Sequence, residues 1–229
     1  GMKVLIMERH VAPVATIYLR NKVGAVNGTR EATGTAHLLE HMLFKGTKTL
    51  GTRDYKQEEK LLQAMDAVAE KIDREMMRGE KADQSGIAAW REQLKALQEE
   101  HGKLVIKDEI SSLYEENGAE GLNASTGYDL TTYQVSLPAD RMELWARIES
   151  DRMVNPVFRE FYTERDVVRE ERRQREETQP EGMLTENFFA AAYMAHAYGR
   201  PIIGWDSDLR YLNKRRVERF FKQHYAPNN

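Results

Sequence analysis

The chain has 229 residues, 41% hydrophobic and 31% charged, enough apolar content to bury a core beneath a polar surface. Its net charge of −3, from 34 Lys and Arg against 37 Asp and Glu, implies neither a nucleic-acid footprint nor a cationic membrane patch. The absence of cysteine excludes disulfides and thiolate metal sites, and no apolar run approaches the roughly 20 residues of a membrane span.

Gly1-Met2 reads as an expression remnant, which leaves room for an upstream leader in the natural protein. Lys3–Glu8 and Val14–Arg20 read as two strands joined by a turn near His10 and Pro13. A glycine-containing loop from Gly24 to Gly34 then leads into a short helix with Thr35 as its expected N-cap. Residues 54–108 have a different character. Leu61/Leu62, Met65, Val68/Ala69, Ile72 and Met76 recur at spacings of three and four, and Ile87, Trp90, Leu94, Leu97, His101 and Leu104 repeat the pattern. Turn residues from Gly79 to Gly86 separate the two runs, so the stretch is expected to be an antiparallel helical hairpin with narrow apolar seams. His101 falls on a seam and reads as a core or edge histidine. Leu122–Ser125 and Thr131–Leu137 read as a β-hairpin turned by Thr126–Asp129, and helices are expected at Ala139–Arg152, Phe158–Glu177, Gly182–Ala195 and Asn213–Tyr225. These elements together make the fold class α+β, a mostly antiparallel sheet packed by helices, with the helical hairpin at about 54–108 inserted into it.

The short helix carries His37-Leu38-Leu39-Glu40-His41. Positions i and i+4 share a helix face, so His37 and His41 can place two imidazole nitrogens on one metal at about 2.0–2.1 Å. Glu40 leans over the same face without having to be a ligand, where a general base for an activated water belongs. Leu38 and Leu39 face away and can anchor the helix. This H-x-x-E-H order is the inverted relative of the common H-E-x-x-H zinc helix. A catalytic zinc takes three protein ligands and one open position. With no cysteine, the third must be His, Asp or Glu. The helix from Phe161 to Glu177 offers Glu164 and Glu171, two turns apart on one face and close to Val167 and Val168. Glu170, Glu176 and Glu177 read as solvated.

At this point the chain resembles the N-terminal domain of an insulinase/pitrilysin-type zinc peptidase, the family that includes mitochondrial processing peptidase. The stretches that carry the resemblance are Gly34–Thr47, Gly121–Thr126 with Thr132-Tyr133, Glu164–Glu171, His196–Gly204 and His224–Asn229. The resemblance implies that Glu171 is the third zinc ligand and that Glu164 supports a ligand histidine from behind. It implies that the strand holding Asn123 and Ala124 borders the site and takes a peptide substrate by strand addition. The separation of His41 from Glu171 exceeds the family's usual one by about the length of the hairpin.

The expected function is a zinc-dependent endopeptidase acting on peptides or unfolded segments, with Glu40 as general base. The alternative is a non-catalytic chamber-forming or scaffold subunit of the same fold. The intact set of His37, Glu40, His41 and Glu171 argues against that, and an interaction module built on the 54–108 hairpin is a further rival. Residues 1–229 are expected to be one peptidase domain, the first half of a longer protein. A second homologous domain or subunit would close the chamber, and a dimer is compatible. No nucleic-acid or membrane-span partner is expected, and the expected setting is bacterial, periplasm or cytoplasm.

Overall fold

The computed structural model describes residues 1–229. Three strands form an antiparallel sheet in the order β1-β3-β2: β1 (Val14–Asn21), β2 (Glu120–Thr126) and β3 (Thr131–Pro138). β1 runs in unbroken register along β3 from Val14 opposite Pro138 to Asn21 opposite Thr131. β2 pairs with the other edge of β3, with a register shift between Glu120 and Asn123, so its own outer edge is free. Alternation on β3 buries Thr131, Tyr133, Val135 and Leu137 against the helices.

The helices are α1 (Thr35–Met42), α2 (Tyr55–Met76), α3 (Gln84–Gly102), α4 (Glu109–Glu116), α5 (Met142–Val154), α6 (Phe161–Arg172), α7 (Pro180–Ala192), the single turn α8 (Asp206–Leu209) and α9 (Lys214–His224). Three of them start on side-chain caps: Asp54 accepts from the Gln57 N–H, Asp83 from Ser85 and Asn213 from Arg216. The main core joins α1, α2, α6 and α9, with Leu38, Leu39 and Met42 fully buried beside Phe158, Phe161, Val168, Val217 and Phe221. No helix is long and apolar enough to cross a membrane.

The α2–α3 hairpin forms as the periodicity predicts, and Val68, Ile72 and Ile87 make a small core of its own. Its base is tied to the body through buried charge. His101 Nε2 lies 2.9 Å from Glu58 Oε1, and Arg159 Nε donates to that oxygen at 2.6 Å. The Arg159 guanidinium also donates to the carbonyls of Lys45, Thr47 and Leu50, in the loop that leaves α1.

Several expectations are corrected. Lys3–Glu8 is not a strand: it joins no sheet, and Leu5, Ile6 and Met7 are about four-fifths exposed at 84%, 83% and 79%. Thr35 is the first residue of α1, not its cap. Gly34 caps the helix at φ 80°, and a Cβ there would lie 2.3 Å from the Ile203 carbonyl, so no other residue fits. The helix expected at Phe158–Glu177 starts at Phe161 and changes at Arg173 into a π-helical turn, Arg173–Glu177. α7 runs Pro180–Ala192 rather than to Ala195, and α4 has no counterpart among the expected helices.

Candidate metal centre

α1 places His37, Glu40 and His41 along one side, while Leu38 and Leu39 fix the opposite side in the core. α6 crosses against α1 and brings Glu164 and Glu171 to the same point; Val168 between them is fully buried, whereas Val167 faces solvent. His37 Nε2 lies 3.8 Å from Glu171 Oε1, and His41 Nε2 lies 3.5 Å from Glu171 Oε2. One ligand atom from each of His37, His41 and Glu171 lies within 4.8 Å of the others. Donors placed about 2.0–2.1 Å from a tetrahedral ion are about 3.3 Å apart, so a small contraction around a zinc ion suffices. The two rings meet edge to face at 4.9 Å.

The electrostatics of the donor set also fit a cation. Burial pushes His37 down to about 4, helped by the charge of His41, so its ring is neutral and ready to ligate. Burial acts the same way on His41, but hydrogen bonds to Glu164 and Glu171 and the charges of Glu171 and Glu40 outweigh it and hold the ring up at about 9. The carboxylates of Glu40, Glu164 and Glu171 thus favour positive charge at this point. The hydrogen bond from His41 lowers Glu171, and Arg175 Nη1 lies 2.6 Å from Glu171 Oε1. Burial raises Glu40, against a hydrogen bond from Thr126 that lowers it.

Behind the site, His41 Nδ1 lies 3.4 Å from Glu164 Oε2, and Lys45 Nζ lies 2.5 Å from Glu164 Oε1. Burial would raise Glu164, yet His41 and Lys45 together hold it below the usual carboxylate range. A carboxylate that accepts from the rear nitrogen fixes the tautomer and aims Nε2 forward. The rear nitrogen of His37 is buried without a hydrogen-bond partner.

The site opens into a cleft of about 710 Å³. His37, Glu40, His41 and Glu171 line one part of it, Asn123, Ala124, Ser125 and Thr126 of β2 another, and Tyr128, Phe189, Ile202 and Ile203 an apolar part. The structure thus brings together every residue singled out from the sequence: Glu164 sits behind His41, and the others line the cleft. Three residues were missed. Thr126 hydrogen-bonds Glu40, Lys45 pairs with Glu164, and Arg175 pairs with Glu171. Spacing held a signal for one of them, since Arg175 follows Glu171 by four residues.

The profile of the insulinase family (Peptidase family M16) matches residues 3–69 and 78–206. The chain belongs to this peptidase family. Among curated relatives it is 26% identical over 210 residues to the zinc protease PqqE of Helicobacter pylori, covering 91% of this chain and 35% of that protein. It is 24% identical over 228 residues to a probable mitochondrial-processing peptidase subunit beta of Arabidopsis thaliana, covering 99% of this chain and 32% of that protein. A crystal structure of a protease from Helicobacter pylori superposes with a TM-score of 0.68 at 25% identity, over 95% of this chain and 40% of that one. The first half of the periplasmic protease PqqL from Escherichia coli shares the fold at a TM-score of 0.62 and 20% identity, over 96% of this chain and 37% of that one. The chain therefore spans well under half the length of these relatives. Zinc is the cofactor that goes with the family, and the donor set here fits it.

Proposed function

We propose that the chain is the metal-bearing part of a zinc endopeptidase that cuts peptides or unfolded segments. One observation carries the reading: two imidazole Nε2 atoms of α1 and one carboxylate of α6 converge in the wall of an open cleft, with a buried second carboxylate, Glu40, on α1 beside the histidines. His37, His41 and Glu171 would hold the ion. When bound, zinc supplies Lewis acidity to the scissile carbonyl and to the attacking water. Glu40 takes the proton from that water and passes it to the leaving amine; burial, by raising its carboxyl, suits it to carry a proton in both directions. Glu164 holds the Nδ1 proton of His41 and so aims its Nε2 at the metal position, and Lys45 balances the charge of Glu164. The free edge of β2, with Asn123 and Ala124 on the cleft, pairs with an extended substrate backbone and gives affinity with little sequence choice.

On this reading residues 1–229 are the N-terminal peptidase domain of a longer protein, with the 54–108 hairpin inserted into it. A second homologous domain or subunit closes the cleft. A chamber-forming or scaffold subunit would need neither the ligand set nor the base, and no feature of the cleft favours that role. The discriminating experiment compares Glu40→Gln with Glu171→Gln in the full-length protein. Glu40→Gln should keep zinc and abolish cleavage, and Glu171→Gln should weaken zinc as well. Loss of metal in the first with retention in the second would reverse the two roles.

A further inference from the structure

We infer that Thr126 is a positioning residue for Glu40: its hydroxyl, carried at the end of the strand that borders the cleft, fixes the carboxylate that acts as base. The inference rests on the role given to Glu40 above and adds the group that aims it. Thr126 Oγ1 donates to Glu40 Oε2, and this is the one side-chain hydrogen bond that Glu40 makes. Oε1 is left for the cleft, which Glu40 lines.

A positioning group must itself be held, and Thr126 is. It sits opposite Thr131 at the last register pair of β2 with β3. The turn beyond it is closed by the Gly127 N–H donating to the Leu130 carbonyl at 2.8 Å. The carbonyls of Gly127 and Tyr128 accept from the N–H groups of Ala25 and Val26, each at 3.0 Å. Gly24 packs so closely behind this turn that a Cβ there would lie 2.4 Å from both carbonyl oxygens. On the facing strand, Thr131 Oγ1 donates to the Val23 carbonyl at 2.9 Å. A β-branched side chain on so fixed a backbone has little rotamer freedom, so the hydroxyl meets α1 at a set place. Without it, the Glu40 carboxylate would keep its tether but lose its orientation, and small errors of that kind are costly in proton transfer.

The placement also couples two functions of one strand. β2 offers its free edge to the peptide and its last hydroxyl to the base, so the element that seats the substrate also orients the group that acts on it.

The test uses the full-length, zinc-loaded protein and the variants Thr126→Val and Thr126→Ser. Thr126→Val keeps the shape and β-branching but removes the donor. It should lower kcat by roughly ten- to a hundredfold, the worth of one hydrogen bond to a charged group, with KM, zinc affinity and unfolding midpoint near wild type. Thr126→Ser should restore most of the rate. In crystals of metal-free Thr126→Val the Glu40 carboxylate should have left its place beside residue 126. If the valine does not fold, Thr126→Ala gives the same comparison. Wild-type turnover in Thr126→Val beside an inactive Glu40→Gln would overturn this inference alone, as would parallel loss of zinc and rate in both Thr126 variants. Cleavage that survives Glu40→Gln would overturn the parent reading and this one with it.

Discussion

Arg159→Met tests what ties the helical hairpin to the metal centre. Arg159 is fully buried, and so is Glu58, to which it donates from Nε at 2.6 Å and from Nη2 at 2.9 Å. The same guanidinium serves the carbonyls of Lys45, Thr47 and Leu50. Methionine fills much of the volume but takes the guanidinium away from the Glu58 carboxylate, which keeps His101 beside it, and from the three carbonyls, of which Leu50's alone keeps the Thr47 N–H. Breaking one side of a buried ion pair costs about 3–5 kcal/mol. At about 2–4 °C per kcal/mol for a chain of this size, the unfolding midpoint should fall by about 6–20 °C. The pH dependence has a defined sign. Burial would raise the Glu58 carboxyl, but its hydrogen bonds to His101 and Arg159 and the Arg159 charge outweigh that and hold it below its usual value. A group lowered in the fold stabilises above its unfolded pKa, about 4.3 for glutamate, and that stability is lost as pH falls through the folded value. The gap between wild type and variant, followed by circular dichroism melts from pH 7 downward, should therefore be widest at neutral pH and narrow in acid. Glu58→Gln combined with Arg159→Met should recover part of the loss, because the uncompensated charge is gone. A midpoint drop of less than about 3 °C, or a gap that does not change with pH, would refute the argument.

Four shorter expectations concern the site. The chain should bind about one zinc, as the three-ligand-plus-water pattern requires, and His37→Ala or His41→Ala should lose most of it by metal analysis; retention in both would remove the assignment. Glu164→Gln should weaken zinc by roughly ten- to a hundredfold in a chelator competition while leaving the fold intact; unchanged affinity would make Glu164 a bystander. Lys45→Met should shift zinc affinity in the same direction as Glu164→Gln, and the double variant should be less than additive because both act through His41. Residues 1–229 alone should bind zinc yet turn over a fluorogenic peptide poorly, since an open cleft leaves the site wet and the peptide loosely held; equal chelator-sensitive rates with and without the remaining length of its relatives would contradict this.

The sequence announces its elements where their signal is local. The spacing in α2 and α3 gives the hairpin, Asp54 and Asn213 mark helix starts, and Leu38 and Leu39 mark the buried side of α1. It misleads where pairing is non-local. Lys3–Met7 has strand composition, but composition names no partner, and β1 pairs instead with β3, more than a hundred residues further on. Thr35 looks like a cap because it is a threonine before an apolar run. Gly34 takes the position because Ile203, far along the chain, packs against its α-carbon. The change from α-helix to π-turn at Arg173 has no sequence mark, since Arg and Glu suit either.

The same division runs through the metal centre. His37, Glu40 and His41 were readable because their geometry is that of one helix, fixed by residue spacing alone. Glu164 and Glu171 were readable as a pair, again from spacing, but nothing within α6 says which of them faces the metal position. That distinction depends on how α6 crosses α1. Glu171 falls opposite both Nε2 atoms, and Glu164, two turns earlier, falls behind His41 within reach of Lys45. Val168, between them, is fully buried and turns that side of α6 into the core beside α1. Thr126 needed one step more, because its role joins a strand to a helix through tertiary contact only. Glu164 also holds a residue of another element, but its seven-residue spacing from Glu171 marks it; Thr126 has no such mark, because its contact with Glu40 exists only in the approach of β2 to α1.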